Sequence, residues 1–361
     1  MAVYESHYMM DAQTLRHVIS VSTPPLAAFV VTFTLFALFL AFEGYSAISA
    51  LGLVFQGAYG SLFAWQNTLS RAAPLMFTGL CVALPARVGL VIIGGEGALV
   101  LGGLVAALIP QACVGWPAMI VLPLMALAGA LVGGGWIAIA GSLRYYRGVN
   151  ETISSLLLSY IGIAIFNFLV EGPLRDPASL NNPSTLPIGD LYAIGSIPGM
   201  DVHWGLVWGL LTCIMAFFLL RYTVFGFSVS VVGGNLRAAQ MSGLPVGKLI
   251  ILTSFLGGAA AGLAGMLEVA AVHGTANSSL LAGYGFAGIL VSFAARHNPL
   301  AIIAGAILVG GIGASGSLLQ RHMDLPDATA LVLQGTLFLC LLAFEALAHR
   351  LDRWKKEQTS A

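Results

Sequence analysis

Of the 361 residues 58% are hydrophobic and 8% charged, and mean hydropathy is +0.92. An ordinary soluble domain carries about 25% charged residues, so lipid is the solvent for most of this chain. The 15 basic and 15 acidic residues balance, leaving no basic field to neutralise a run of phosphates and excluding nucleic acid as a partner. Cys81, Cys113, Cys213 and Cys340 lie far apart in apolar stretches, with no Cys-x-x-Cys pair and no His at ligand spacing; they read as small core residues, and no metal site is expected.

Residues 1–25 are polar and long for the leader of a cleavable signal, so Leu26 to Phe42 reads as a retained first helix behind an N-terminal segment. A helix crosses the hydrocarbon with about 20 apolar residues, because its backbone polar groups must be satisfied within the segment. Apolar runs at 26–42, 72–86, 89–109, 118–141, 153–170, 203–220, 249–272, 284–295, 300–318 and 328–348 predict an all-α polytopic membrane protein of about ten transmembrane helices, followed by a tail at 349–361. The second and eighth runs are short, which suggests broken or shielded helices, and half-apolar 43–70 suggests a re-entrant or interfacial segment.

With the N-terminus inside, the inner segments hold Arg16, Arg87, Arg144, Arg147, Arg221, Arg237, Lys248, Arg296, Arg350, Arg353, Lys355 and Lys356, and the outer ones only Arg71, Arg175 and Arg321. The positive-inside rule then places both termini in the cytoplasm. Residues 171–202, with five prolines, form a stiff outer cap. Residues 221–248 lie inside, where Asn235 can cap a short helix, LRAAQMS, that Gly243 ends in left-handed geometry; an ordinary connecting loop is the alternative. Spans two to five and seven to ten begin on opposite sides, so 72–170 and 249–348 are candidates for an inverted repeat.

Ionisable groups in the hydrocarbon are costly and are functional candidates by default. Glu96 sits in GLVIIGGEG at 89–97, where Gly94, Gly95 and Gly97 act as candidate hinge glycines. No strand precedes this run and no Lys-Ser/Thr follows, so it is not a phosphate loop; the alternative to a pathway role is that Glu96 caps the N–H groups of a half-helix. Glu268, with His273 and Asn277 one or two turns on, either lines the route or ties helices together. Asn167, Tyr284 and Phe286 complete the pathway candidates. No catalytic constellation and no nucleotide-binding motif is present, so energy for uphill transport comes from an ion gradient or from another subunit.

The blocks GLVIIGGEG (89–97), GVNETISSLLLSYIG (148–162), EGPLRDP (171–177), GGNLRAAQMSGL (233–244), GYGFAGILVSFAARHNPL (283–300) and LPDATALVLQG (325–335) together resemble the permeases of nucleoside and simple-sugar ABC importers. That family is related to ribose and branched-chain amino acid permeases, and GVNE with GPLRDP is similar to its nucleoside branch, served by basic membrane lipoproteins. The resemblance covers about 80–335. It implies a second permease subunit, often a paralogue, two cytoplasmic ABC ATPase domains that bind ATP and Mg, an extracytoplasmic substrate-binding lipoprotein, and a place in the bacterial inner membrane; this chain itself needs no cofactor. The family's coupling helix would match Asn235, Leu236, Arg237, Ala238, Ala239 and onward to Gly243. Two family amides are replaced, by Ile92 or Ile93 before the GEG block and by Ala98 after it, which puts any role of those amides in doubt here. A sugar permease and an ion-coupled transporter are the competing readings. The spans lack a cluster of Arg or Lys, which disfavours anionic solutes.

Overall fold

The computed structural model describes residues 27–360. The expected N-terminal segment 1–25, Arg16 and the first residue of the first expected crossing lie outside them. The described residues are helical without a strand, apart from two isolated antiparallel bridges. They divide between two compact units: one is Gly57–Ala314, and the other combines the chain up to Gln56 with the chain from Ser315. In the second unit Phe36, Leu40, Leu319, Leu333 and Leu337 are among the buried large residues.

In chain order the helices are α1 (Ala27–Phe42), α2 (Ala47–Tyr59), α3 (Leu62–Ala86), α4 (Gly95–Ala112), α5 (Ala118–Arg147), α6 (Glu151–Glu171), α7 (Gly205–Tyr222), α8 (Val224–Gly234), α9 (Leu236–Met241), α10 (Val246–Glu268), α11 (Tyr284–Ala294), α12 (Pro299–Met323) and α13 (Ala328–Ser360). Seven of them, α3 to α7, α10 with the turn that follows it, and α12, are long and apolar enough to cross a membrane. The first, eighth and tenth expected crossings fall in shorter apolar helices, Ala27–Phe42, Ser278–Ala294 and Ala328–Phe344.

Two expectations change. The second crossing is not short: Ser61 accepts from the Ala64 N–H at 3.1 Å and starts α3 ten residues early, and the helix then runs through Pro74 and Pro85. Residues 43–70 are therefore not one segment, since they hold α2 and the first turns of α3. Residues 349–360, expected as the tail, are helical and continue α13.

Local signals explain the junction of α5 and α6. Gly148, at φ +68°, closes α5 behind Arg144 and Arg147, whose charges complement the carbonyl end. Asn150 then caps α6 by accepting from the Ile153 N–H at 3.1 Å, and Glu151 pairs with Arg144 at 3.3 Å across the turn.

The larger unit is built around α10, which packs on α3, α4 and α5. Lipid gives apolar helices no hydrophobic reason to associate, so close packing through small residues must hold them. Gly129 and Gly133 of α5 face Gly258 and Gly262 of α10, while Gly102 and Gly103 of α4 face Gly262 and Gly265. A methyl group on Gly262 would overlap the Gly129 carbonyl, and one on Gly265 the Leu99 carbonyl. The proline-rich segment 172–204 is stitched onto the chain leaving α10 by Ile194 N–H to Ala270 O (2.7 Å), Ile188 N–H to Gly274 O (2.9 Å) and Thr185 N–H to Ala276 O (3.0 Å).

Gly262→Leu should therefore separate α10 from α5 at a cost of at least about 1–3 kcal/mol, the usual penalty of overpacking. Thermal unfolding of the purified protein in detergent should show a clear drop, and an unchanged midpoint would contradict the glycine-mediated packing.

Candidate functional site

In GLVIIGGEG the chain stays non-helical until Gly95, so the third crossing begins six residues later than expected. Broken backbone inside a membrane needs partners from the protein, and α6 supplies them. Ser155 Oγ accepts from the Ile93 N–H (3.0 Å), Ser159 Oγ accepts from the Gly97 N–H (2.9 Å), and the Thr152 hydroxyl donates to Val91 O (3.0 Å). These three residues were not singled out from the sequence, although hydroxyls at 152, 155 and 159 recur at helical spacing opposite the glycines. The glycines permit the approach: a methyl at Gly97 would come within 2.7 Å of Ser159 Cα, and one at Gly94 within 2.8 Å of Ser155 O.

Glu96 lies in the first turn of α4 and is 1% exposed. Its two carboxylate oxygens accept from the N–H groups of Gly283 (2.9 Å) and Gly285 (2.5 Å), at the N-terminus of α11. Gly95 and Gly285 bring the two backbones together, and a methyl on Gly285 would overlap the Glu96 amide. One side chain thus joins two helix N-termini.

A second polar group surrounds the end of α10. After Glu268 the chain makes one π turn, Val269–His273, before Gly274 at φ +66°. The i to i+5 repeat of that turn sets His273 over Glu268, with Nε2 3.4 Å from the buried carboxylate. Asn277 is engaged locally: its Oδ1 accepts from the Ser279 N–H (2.8 Å) and its amide donates to Thr275 Oγ1 (3.0 Å). Tyr284, the first residue of α11, is half-buried and within electrostatic reach of Glu268, Arg71 and Glu96. Phe286 is 38% exposed two residues on. Asn167, on α6, makes no hydrogen bond to any of these residues. Two members were not anticipated: Arg71, expected in an outer segment but carried inside α3, and His203, just before α7, which faces Glu268 and Ser70.

At the far end of α10, Asn235 accepts from the Ala238 N–H at 3.1 Å to start α9, and Gly243, at φ +76°, follows its end. Ala239 is fully buried with Val232, Val246, Leu249 and Ile250. The remaining side chains point outward, with Leu236, Arg237, Ala238 and Gln240 exposed and Met241 90% exposed. The helix α8 that precedes it was not expected from the sequence.

A polytopic helical protein with broken membrane segments and an outward-facing short helix is the architecture of a transport component. The sequence model of the family described as branched-chain amino acid transport system / permease component matches residues 65–342, and the chain belongs to that family. It is 29% identical to the glucose ABC transporter permease protein of Haloferax volcanii over 82% of this chain and 81% of that one. It is 28% identical to a guanosine ABC transporter permease protein of Bacillus subtilis over 92% and 96%. A second guanosine ABC transporter permease protein of Bacillus subtilis is 24% identical over 79% and 92%.

Replacing Glu96 tests the junction. Glu96→Leu leaves two buried N–H groups unpaired at about 1–3 kcal/mol each, so a marked fall in thermal stability is expected. Glu96→Gln keeps one acceptor oxygen and should fall between wild type and Leu. Equal midpoints for wild type and the Leu variant would show that the junction contributes nothing.

Proposed function

We propose that this chain is the permease subunit of an ATP-binding cassette importer that carries a nucleoside or a related nucleobase compound across the bacterial inner membrane. What carries the reading is the match along nearly the whole length of permeases named for guanosine and glucose transport, joined to a capped, outward-facing helix between two membrane segments. Nucleosides are preferred over sugars because of the ordered blocks GVNE and GPLRDP. Glu268, His273, Tyr284 and Phe286 provide the few polar groups and the aromatic faces that a base with an attached sugar requires.

Both termini are cytoplasmic in this reading, segment 171–202 faces outward toward a binding lipoprotein, and α9 faces an ATPase. The second permease subunit is a paralogue, a proposal supported by two guanosine permeases from one organism matching this chain. Hydrolysis of ATP, with its Mg, belongs to the ATPase subunit. Alternating access then uses the inverted arrangement of 72–170 and 249–348, with Gly94, Gly95 and Gly97 as hinge positions.

Copurification of an ATPase with the tagged chain is the first test, and its absence under conditions that retain transport would favour an ion-coupled carrier. Arg237→Glu and Ala239→Pro should abolish ATP-driven uptake while leaving the amount of permease in the membrane unchanged. Proline inside a helix costs about 3 kcal/mol or more, so ordinary uptake by Ala239→Pro would remove α9 from any coupling role.

A further inference from the structure

Arg71 is the tenth residue of α3, counted from Leu62, and so lies about 13 Å along the helix at 1.5 Å per residue. The chain beyond it, from Ala72 to Pro85, is buried throughout. An arginine at such a place costs at least about 2.5–3.5 kcal/mol unless it is paired or wet. The two ion pairs among the described residues are Arg144–Glu151 and His273–Glu268, so neither engages Arg71. Its guanidinium makes no hydrogen bond to a described residue.

The surroundings share this property. Asn67 and Ser70 occupy the same face of α3 at helical spacing, are half-buried like Arg71, and have side chains without a protein partner among the described residues. The Tyr284 hydroxyl, within electrostatic reach of Arg71, is likewise unbonded. His203 is 7% exposed and lies against the Ser70 backbone, and neither of its ring nitrogens has a hydrogen-bond partner. Buried polar groups are bonded as a rule. His203 departs from that rule, and the half-buried, unbonded side chains of Arg71, Asn67, Ser70 and Tyr284 lie near it on α3 and α11, with α7 and α11 both packed on α3 and with His203 and Tyr284 within electrostatic reach of Glu268; together they mark a place made for water and for a polar solute.

We infer that Arg71 is a specificity-determining residue of this site, and that its ligand is the acceptor edge of an uncharged 6-oxopurine nucleoside. The inference rests on the nucleoside reading above and narrows it. A guanidinium presents a planar fork of donors, and on a purine the 6-oxygen and N7 are adjacent acceptors that match it. Adenosine places a donating amino group at position 6, where it opposes the fork. A base can stack on the Tyr284 ring, and Glu268 can accept from its N–H groups. An anion gains less, because Glu268 and Glu96 both lie within electrostatic reach of the same tyrosine.

The test is binding of tritiated guanosine, inosine and adenosine to the permease–ATPase complex in nanodiscs without the binding protein, paired with uptake by the complete system. Wild type should bind guanosine and inosine at least tenfold more tightly than adenosine. Arg71→Lys, which keeps the charge and loses the fork, should weaken guanosine binding at least tenfold and leave adenosine within twofold. Asn67→Ala, one turn away, should also weaken guanosine selectively and serves if the lysine variant does not assemble. Unchanged guanosine affinity in these variants, adenosine binding as tight as guanosine, or no guanosine binding by a complex that transports it would each overturn the inference alone. A complete system that carries sugars and no nucleoside would overturn the functional reading, and the inference with it.

Discussion

Two helix N-termini meeting in apolar surroundings are held by one carboxylate, and much of the larger unit is arranged to allow that contact. The first four N–H groups of any helix lack an internal partner, and inside a membrane water cannot reliably serve them. Glu96 satisfies two such groups on α11 and contributes negative charge to the positive ends of both α4 and α11. The contact requires backbones close enough for a short side chain to bridge, which explains glycine at 95 and 285. It also requires α4 to begin within the protein, which leaves 90–93 non-helical and hands their polar groups to Thr152 and Ser155.

Against this junction stands the glycine-lined packing of α10 on α4 and α5. Carbonyls and Cα atoms in contact there leave no room for a side chain, so these three helices behave as one rigid block. Any change of shape that carries a solute must then arise at segments that end, break or attach by few contacts. Residues 90–94, the π turn after Glu268, and α9, anchored by Ala239, are such segments.

What was legible in the sequence was local. The cap at Asn235 and the left-handed Gly243 depend on residues within one turn, and both could be read directly. The glycines around Glu96 announced a broken helix for the same reason. The partner of Glu96 lies 187 residues away, so periodicity carried no trace of it. The true start of α3 was hidden because Gln66, Asn67 and Arg71 interrupt its apolar run, and a hydropathy reading ends a crossing at its first charge. The π turn was equally hidden, since its consequence, His273 above Glu268, depends on a repeat of five that helical spacing does not anticipate.

A polar residue in a membrane helix raises the same question whatever its type: whether its hydrogen bonds are already taken. Glu96, Asn277, Ser155 and Ser159 have theirs taken within the protein, mostly by backbone, and their positions follow from the needs of helix ends. Arg71, Asn67, Tyr284 and His203 do not. Composition treats both sets alike, as exceptions to an apolar rule. Bonding separates them: satisfied groups stabilise the junction, while unsatisfied ones stay available to water or to a solute that brings complementary donors and acceptors. Recognition in this chain is therefore best sought on the unbonded face of α3, beside the end of α10, and structural support in the carboxylate that joins α4 to α11.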